Sequence, residues 1–208
     1  MFAKVPLNIE RQIKFAIDTL RDGGLVAFPT DTVFGLGACF DNIAAVKRIF
    51  EVKQRPFNTG LPLLAADKPQ IGGIVKYIPE VANLLINRFL PGGLTLILQK
   101  NVLVPDIVSG GRDTIAVRIP AHPIALGLIR GVGKPIVGTS ANKSGKPSGI
   151  TAEDVRSQIG EEIEFIIEGE AGQGGKESTI VDITGSIPRL LREGVISRTE
   201  LEKVCQID

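Results

Sequence analysis

The chain has 208 residues, with 24 Lys+Arg against 23 Asp+Glu, a single His and 43% hydrophobic residues. This length can bury a sizeable core, in one large domain or two small ones, and the apolar fraction with a net charge of +1 excludes a disordered chain. Near-neutral charge also argues against bulk nucleic acid or an anionic membrane surface as the main partner, while leaving room for a local cationic cleft.

In chain order, Ile9, Ile13, Ile17 and Leu20 share one helical face over residues 9–22, and Gly23-Gly24 ends the helix. LVAFP (25–29) reads as a buried strand. Asp41 or Asn42 caps a second helix, IAAVKRIFEVK (43–53), with Ile43, Val46 and Phe50 facing inward. GLPLLAA (60–66) is a short apolar strand, and Pro79 opens a helix that runs to Pro91-Gly92-Gly93. LTLIL (94–98) and TIAVRI (114–119) are strands bounded by Gly and Pro. A short helix at 122–131 and a strand at 135–140 follow. Thr151 with Asp154, and Ser197 with Glu200, mark two capped helices, and EFIIEG, TIVDI and RLLRE are three late strand candidates between them. Strands alternating with helices of about ten residues indicate an α/β fold, and the late strands without helices between them indicate mixed pairing. The Gly-rich stretches 108–112 and 169–175 read as loops, so one domain over 1–208, with its core at about 9–200, is the economical organisation.

Cys39 and Cys205 have no CxxC spacing and no His cluster beside them, so neither a zinc site nor a disulfide framework is evident, and a reducing, cytoplasmic setting is expected. The start of the chain lacks a long apolar segment, and no run approaches the roughly 18 apolar residues of a membrane span. Imidazole chemistry has one candidate, His122, which precedes Pro123 as a helix-entry residue. No Ser-His-Asp logic and no GxSxG elbow can be built on it.

The chemistry-bearing segments sit at element ends. PTDTVFGLG (29–37) follows a strand and offers Thr30, Asp31 and Thr32, either as a substrate-facing loop or as a turn capped by its own hydroxyls. In KQRP (53–56), Lys53 and Arg55 either converge on a polyphosphate, if the chain is extended before Pro56, or complement a helix dipole. GTSANKSGKPS (138–148) can cradle a phosphate with hydroxyls and backbone N–H groups, or serve as a solvated connection. Arg118, Ser178-Thr179 and Arg192 flank apolar strand residues, where an arginine needs an anion or a structural ion pair. Hydroxyls, amides and cations without a strong base suit phosphoryl or nucleotidyl transfer better than acyl-enzyme chemistry.

Taken in order, PTDTVFGLG, KQRP, TIAVRIPAHPI, TSANKSGKPS, ESTIVD and LLREG resemble the YrdC/Sua5/YciO family of threonylcarbamoyl-AMP synthases, from about residue 9 to about residue 200, in its short single-domain form. The resemblance implies a single α/β domain with a twisted mixed sheet, flanking helices and a large open cavity. It also implies a nucleotidyltransferase that makes threonylcarbamoyl-AMP and pyrophosphate from L-threonine, bicarbonate or CO2, and ATP. The product serves threonylcarbamoyl modification of tRNA adenosine 37. The family's KxR–SxN signature maps onto Lys53, Arg55, Ser140 and Asn142, with Lys53 and Arg55 as the catalytic cations. Thr32, Arg118 and Ser178 map to the threonine, and Arg55, Thr59, Thr114, Ser140, Asn142, Ser148 and Arg192 to ATP. Mg2+ would accompany the nucleotide, with no metal held by the protein alone. A tRNA or RNA contact and downstream threonylcarbamoyl-transfer proteins are the implied partners, with no membrane.

Two positions depart from Sua5-type members. Thr59-Gly60-Leu61 replaces an Asn-Pro-Leu run, and Leu64 stands where those members carry a histidine near the threonine. Short YrdC-type members also lack that histidine. The competing readings are a YciO-like paralogue or a stand-alone relative of the carbamoyl-transfer domain in hydrogenase maturation proteins, and an RNA-binding module of the same fold, the last weakened by the +1 net charge, a single Tyr and no Trp.

Overall fold

Asn8 caps the first helix, its side-chain oxygen accepting from the Arg11 N–H, and Gly23 leaves the helix end with φ +85°. The computed structural model describes residues 8–172 and 176–208. The elements are α1 (Ile9–Arg21), β1 (Val26–Phe28), β2 (Gly35–Cys39), α2 (Ile43–Lys53), β3 (Leu63–Leu64), α3 (Lys68–Gly72), α4 (Glu80–Phe89), β4 (Leu94–Gln99), α5 (Asp106–Ser109), β5 (Thr114–Arg118), α6 (Pro123–Val132), β6 (Ile136–Ser140), α7 (Ala152–Ile159), β7 (Phe165–Ile166), β8 (Thr179–Asp182), β9 (Arg189–Arg192) and α8 (Arg198–Glu202). Asn42 caps α2, and reciprocal capping boxes at Thr151/Asp154 and Ser197/Glu200 start α7 and α8.

The strands form one nine-stranded sheet in the order β7-β1-β2-β6-β3-β5-β4-β8-β9. Three parallel pairs (β1·β7, β3·β5, β4·β8) stand among five antiparallel ones, which gives the mixed sheet expected from the late strand cluster.

Because side chains alternate along a strand, each strand is divided between two faces. Leu36, Ala38, Leu63, Leu94, Leu96, Ile115, Val117, Val137 and Val181 point into one large core shared with α2, α4 and α7. Val26, Phe28, Cys39, Leu64 and Ile136 point the other way, into a smaller core under α1 and α6. Those two helices do not cover the whole second face. Beyond β6 it carries Ser140, Thr114, Ala116, Arg118, Thr95, Ile97, Ser178, Ile180 and Arg192 around a cavity.

Several sequence expectations change. Residues 35–37 belong to a strand rather than to a loop. Phe28 lies so close over Gly35 and Gly37 that a Cβ would come within 3.2 and 2.8 Å of its ring, so glycine is required where strand propensity would disfavour it. The buried stripe of α1 is Gln12, Ala16 and Leu20, whereas Ile9 is exposed and Ile13 and Ile17 rest on Gly127 and Gly131 of α6. In α2, Ile43 is exposed and Ile49 takes the inward place. The short helices α3 and α5 carry too little periodicity to be read from sequence. The Gly-rich stretch 169–175 falls partly outside the described residues.

The turn after β9 holds β8 in place, as the Gly194 N–H donates to Thr179 Oγ1 and the Val195 N–H to the Glu177 carbonyl. A Cβ at Gly194 would lie 2.2 Å from that carbonyl oxygen and 2.4 Å from the Ser178 carbonyl carbon. Gly194→Ala is therefore expected to cost about 2 kcal/mol or more in urea unfolding, because backbone cannot step aside as a side chain can. A change below about 0.5 kcal/mol, the range of an ordinary surface substitution, contradicts this packing.

Candidate active site

The cavity has a volume of about 310 Å³ and is lined by four arginines (Arg55, Arg112, Arg118 and Arg192), one carboxylate (Glu177) and the hydroxyls of Thr30, Thr32, Thr95, Ser109, Thr114, Thr139, Ser140 and Ser178. A chain of nearly neutral total charge therefore concentrates positive charge in one place.

Arg118 ends β5 and is almost fully buried. Its Nε donates to the Gly92 carbonyl (2.9 Å), Nη1 to Thr32 Oγ1 (2.9 Å) and Nη2 to Asp31 Oδ1 (2.7 Å). Burial lowers its pKa, and the Asp31 carboxylate beside it opposes that, so the guanidinium stays charged. Asp31 Oδ1 is fixed in turn by the Ala121 N–H, and Thr30 accepts from the Thr32 N–H while donating to the Val33 carbonyl. Three of the five guanidinium N–H groups are thus engaged by protein, and the same side chain lines the cavity.

A second network runs along β4 and β8. Thr95 Oγ1 lies 2.8 Å from Ser178 Oγ, and Arg192 donates to the Ser178 carbonyl and hydroxyl and pairs with Glu177. Glu177 Oε1 also accepts from Ser148 Oγ at 3.2 Å, so Ser148 reaches the site through this carboxylate rather than from the wall.

The KxR–SxN residues divide into two groups. Arg55, Ser140 and Thr114 line the cavity, as do Thr32, Arg118, Ser178 and Arg192, whereas Lys53, Asn142, Ser148 and Thr59 do not. The extended geometry that would aim Lys53 and Arg55 the same way is not formed, since Gln54 caps α2 in the left-handed region at φ 51°. Lys53 is buried instead behind the wall, its ammonium donating to the Ser140 carbonyl, the Asn142 carbonyl (2.8 Å) and Asn142 Oδ1 (3.2 Å). Asn142 Nδ2 closes the loop on the Lys143 and Lys146 carbonyls, and the Ser144 N–H donates back to the Lys53 carbonyl. With three donors on three oxygens, Lys53 fastens the end of α2 to the loop after β6. Thr59 sits in a turn, its N–H donating to the Pro56 carbonyl.

Leu64 is buried at the cavity floor over Gly138, where a Cβ would lie 2.3 Å from its Cγ, so this side of the site is apolar. His122 opens α6 and is not among the lining residues. The sequence reading missed Thr95, Arg112 and Glu177. Thr95 was detectable as the polar residue between Leu94 and Leu96 on an alternating strand. Arg112 and Glu177 lie in loops with no periodic signal.

The arrangement defines an α/β protein with a cationic, hydroxyl-lined cavity on the part of the sheet that its helices leave open. Comparison with known proteins is more specific: the Sua5/YciO/YrdC family model, described as telomere recombination, matches residues 18–194, and the chain belongs to that family. It is 48% identical over 195 residues to the threonylcarbamoyl-AMP synthase of Pyrococcus abyssi, covering 94% of this chain and 57% of that one. Among solved structures, P. abyssi Sua5 complexed with L-threonine superposes with a TM-score of 0.92 at 45% identity, over 98% of this chain and 61% of that one. Escherichia coli YciO superposes with a TM-score of 0.82 at 29% identity, over 92% and 93%. The chain therefore spans somewhat over half the length of the synthase it matches. Among the described residues no helix is long and apolar enough to cross a membrane.

Lys53 carries a pH signature. Burial, and then the charge of Arg55, lower its pKa from 10.5 to about 8. Below about 8 the folded and unfolded chains both hold this proton, and between about 8 and 10.5 only the unfolded chain does. Unfolding in that window takes up a proton, so this group's contribution to stability rises with pH there. In urea unfolding at a series of pH values, the wild type is expected to gain on Lys53→Met between pH 8 and 10.5, by up to about 1.4 kcal/mol per unit. A constant difference across the window contradicts the buried ammonium.

Proposed function

We propose that the chain is a threonylcarbamoyl-AMP synthase, a nucleotidyltransferase acting on L-threonine, bicarbonate or CO2, and ATP, whose product serves tRNA modification. The observation that carries this reading is Arg118. Its guanidinium, fixed on three sides, offers two N–H groups to a carboxylate in the same cavity where Arg55 and Arg192 offer charge to phosphates. The similarity to a Sua5 complexed with L-threonine supports an amino acid at that point.

In this scheme threonine's amine adds to CO2, forming the N–C bond of a carbamate and releasing a proton to solvent. A carbamate oxygen then attacks the α-phosphorus, the bond to the β-phosphate oxygen breaks, and pyrophosphate leaves. Such a reaction needs two anions held in register and negative charge met as it develops, more than it needs a protein acid or base. Arg118 orients the amino acid, with the hydroxyls of Thr32 and Ser178 beside it. Arg55, Arg192, Thr114 and Ser140 surround the nucleotide. Lys53 and Asn142 act on Ser140 from behind by holding its loop, and Ser148 acts through Glu177. Among the described residues Glu177 is the one carboxylate on the wall and is already engaged by Arg192 and Ser148, so Mg2+ belongs to the nucleotide in this reading. A role in tRNA modification carries with it the cytoplasmic setting and the downstream transfer proteins.

YciO is similar over nearly the whole of both chains, which makes a paralogue without this activity the reading to test against. Incubated with Mg2+·ATP, L-threonine and bicarbonate, the protein is expected to release pyrophosphate and the adenylate only when threonine is present. Arg55→Ala and Ser140→Ala are expected to lower nucleotide affinity or turnover about tenfold or more. Folded protein that releases no threonine-dependent pyrophosphate contradicts the synthase.

A further inference from the structure

Arg112 lies in the loop between α5 and β5 and has no part in the assignments above. It reaches the cavity wall, yet among the described residues its guanidinium has no carboxylate partner and no hydrogen bond. Among the described residues Arg55 is nearly as free, with one donor on the Gly60 carbonyl at 3.2 Å and no ion pair. Both side chains converge on Gly60, since a Cβ there would stand 3.8 Å from Arg112 Nη1. Burial, and then the charge of Arg112, lower the pKa of Arg55 while the Glu177 carboxylate opposes them without forming an ion pair with it, so the two cations feel each other.

Their backbones are held together. The Leu61 N–H donates to the Val108 carbonyl at 2.8 Å. Gly110, at φ +65°, fits so tightly that a Cβ would meet the Asn58 carbonyl oxygen at 2.7 Å. Two fixed loops therefore present two like charges at one point, a repulsion that Glu177 offsets at Arg55 without pairing with it, and the pair needs little reordering when a further anion arrives. Arg192 differs, because Glu177 already compensates its charge.

We propose that Arg112 and Arg55 form a two-guanidinium subsite for the terminal phosphates of a polyphosphate, the part that leaves as pyrophosphate. This inference rests on the nucleotide reading above and adds to it a residue, Arg112, and a place for the leaving group. The planar fork of each arginine matches phosphate oxygens, and a pair can grip a pyrophosphate from two sides.

Calorimetric titration with inorganic pyrophosphate, ATP and AMP tests it. Arg112→Gln is expected to weaken pyrophosphate and ATP about tenfold while leaving AMP and L-threonine unchanged, and Arg112→Lys to recover part of the loss. A Gln variant that binds pyrophosphate as tightly as the wild type, or that loses AMP as much as ATP, overturns the subsite. If the wild type releases threonine-dependent pyrophosphate while Arg112→Gln binds it normally, only this inference fails. If the wild type binds none of the three phosphates, the nucleotide reading fails with it.

Discussion

A guanidinium buried in the middle of a sheet has to have its N–H groups and its charge met, and the way Arg118 meets them organises this molecule. Asp31 and Thr32 come from the loop joining β1 to β2, and the Gly92 carbonyl comes from the approach to β4. One side chain thus ties two separate segments to β5. Removing one partner of such a pair leaves an uncompensated buried charge, far costlier than losing an exposed ion pair. The same residue lies where α1 and α6 stop covering the sheet, so the constraint that closes the fold also opens the cavity.

Around that point the structure separates residues that present charge from residues that hold the presenters. Arg55, Arg112 and Arg192 face the cavity, while Lys53 spends its donors on the end of β6 and the loop after it. A signature that reads in one dimension as two cations and two polar residues becomes two wall residues, Arg55 and Ser140, and one latch, Lys53 with Asn142. Thr95 and Ser178 share a hydroxyl contact, and Ser178 links it to Arg192 and, through that arginine, to Glu177.

Much of this was legible in the sequence wherever a periodic pattern or a cap carried the information. The two capping boxes and the alternation in TIAVRI that sets Arg118 apart from Val117 lie where the pattern placed them. The misread parts have physical reasons. Gly35 and Gly37 form a strand because Phe28 needs their empty side, a tertiary contact with no local signal. The left-handed Gln54 turns Lys53 away from Arg55, and no propensity predicts a non-glycine residue there. Arg112 and Glu177 acquire meaning only when loops distant in sequence are brought to one cavity.

The account turns on the proposal that Arg118 presents its two remaining N–H groups to a carboxylate. Calorimetry of the wild-type protein with L-threonine and with L-threoninol, in which a hydroxymethyl group replaces the carboxylate, tests this directly. The account predicts that threoninol binds about tenfold or more weaker than threonine, the cost of losing a charge-assisted contact to a buried arginine. Equal affinity for the two compounds would contradict it.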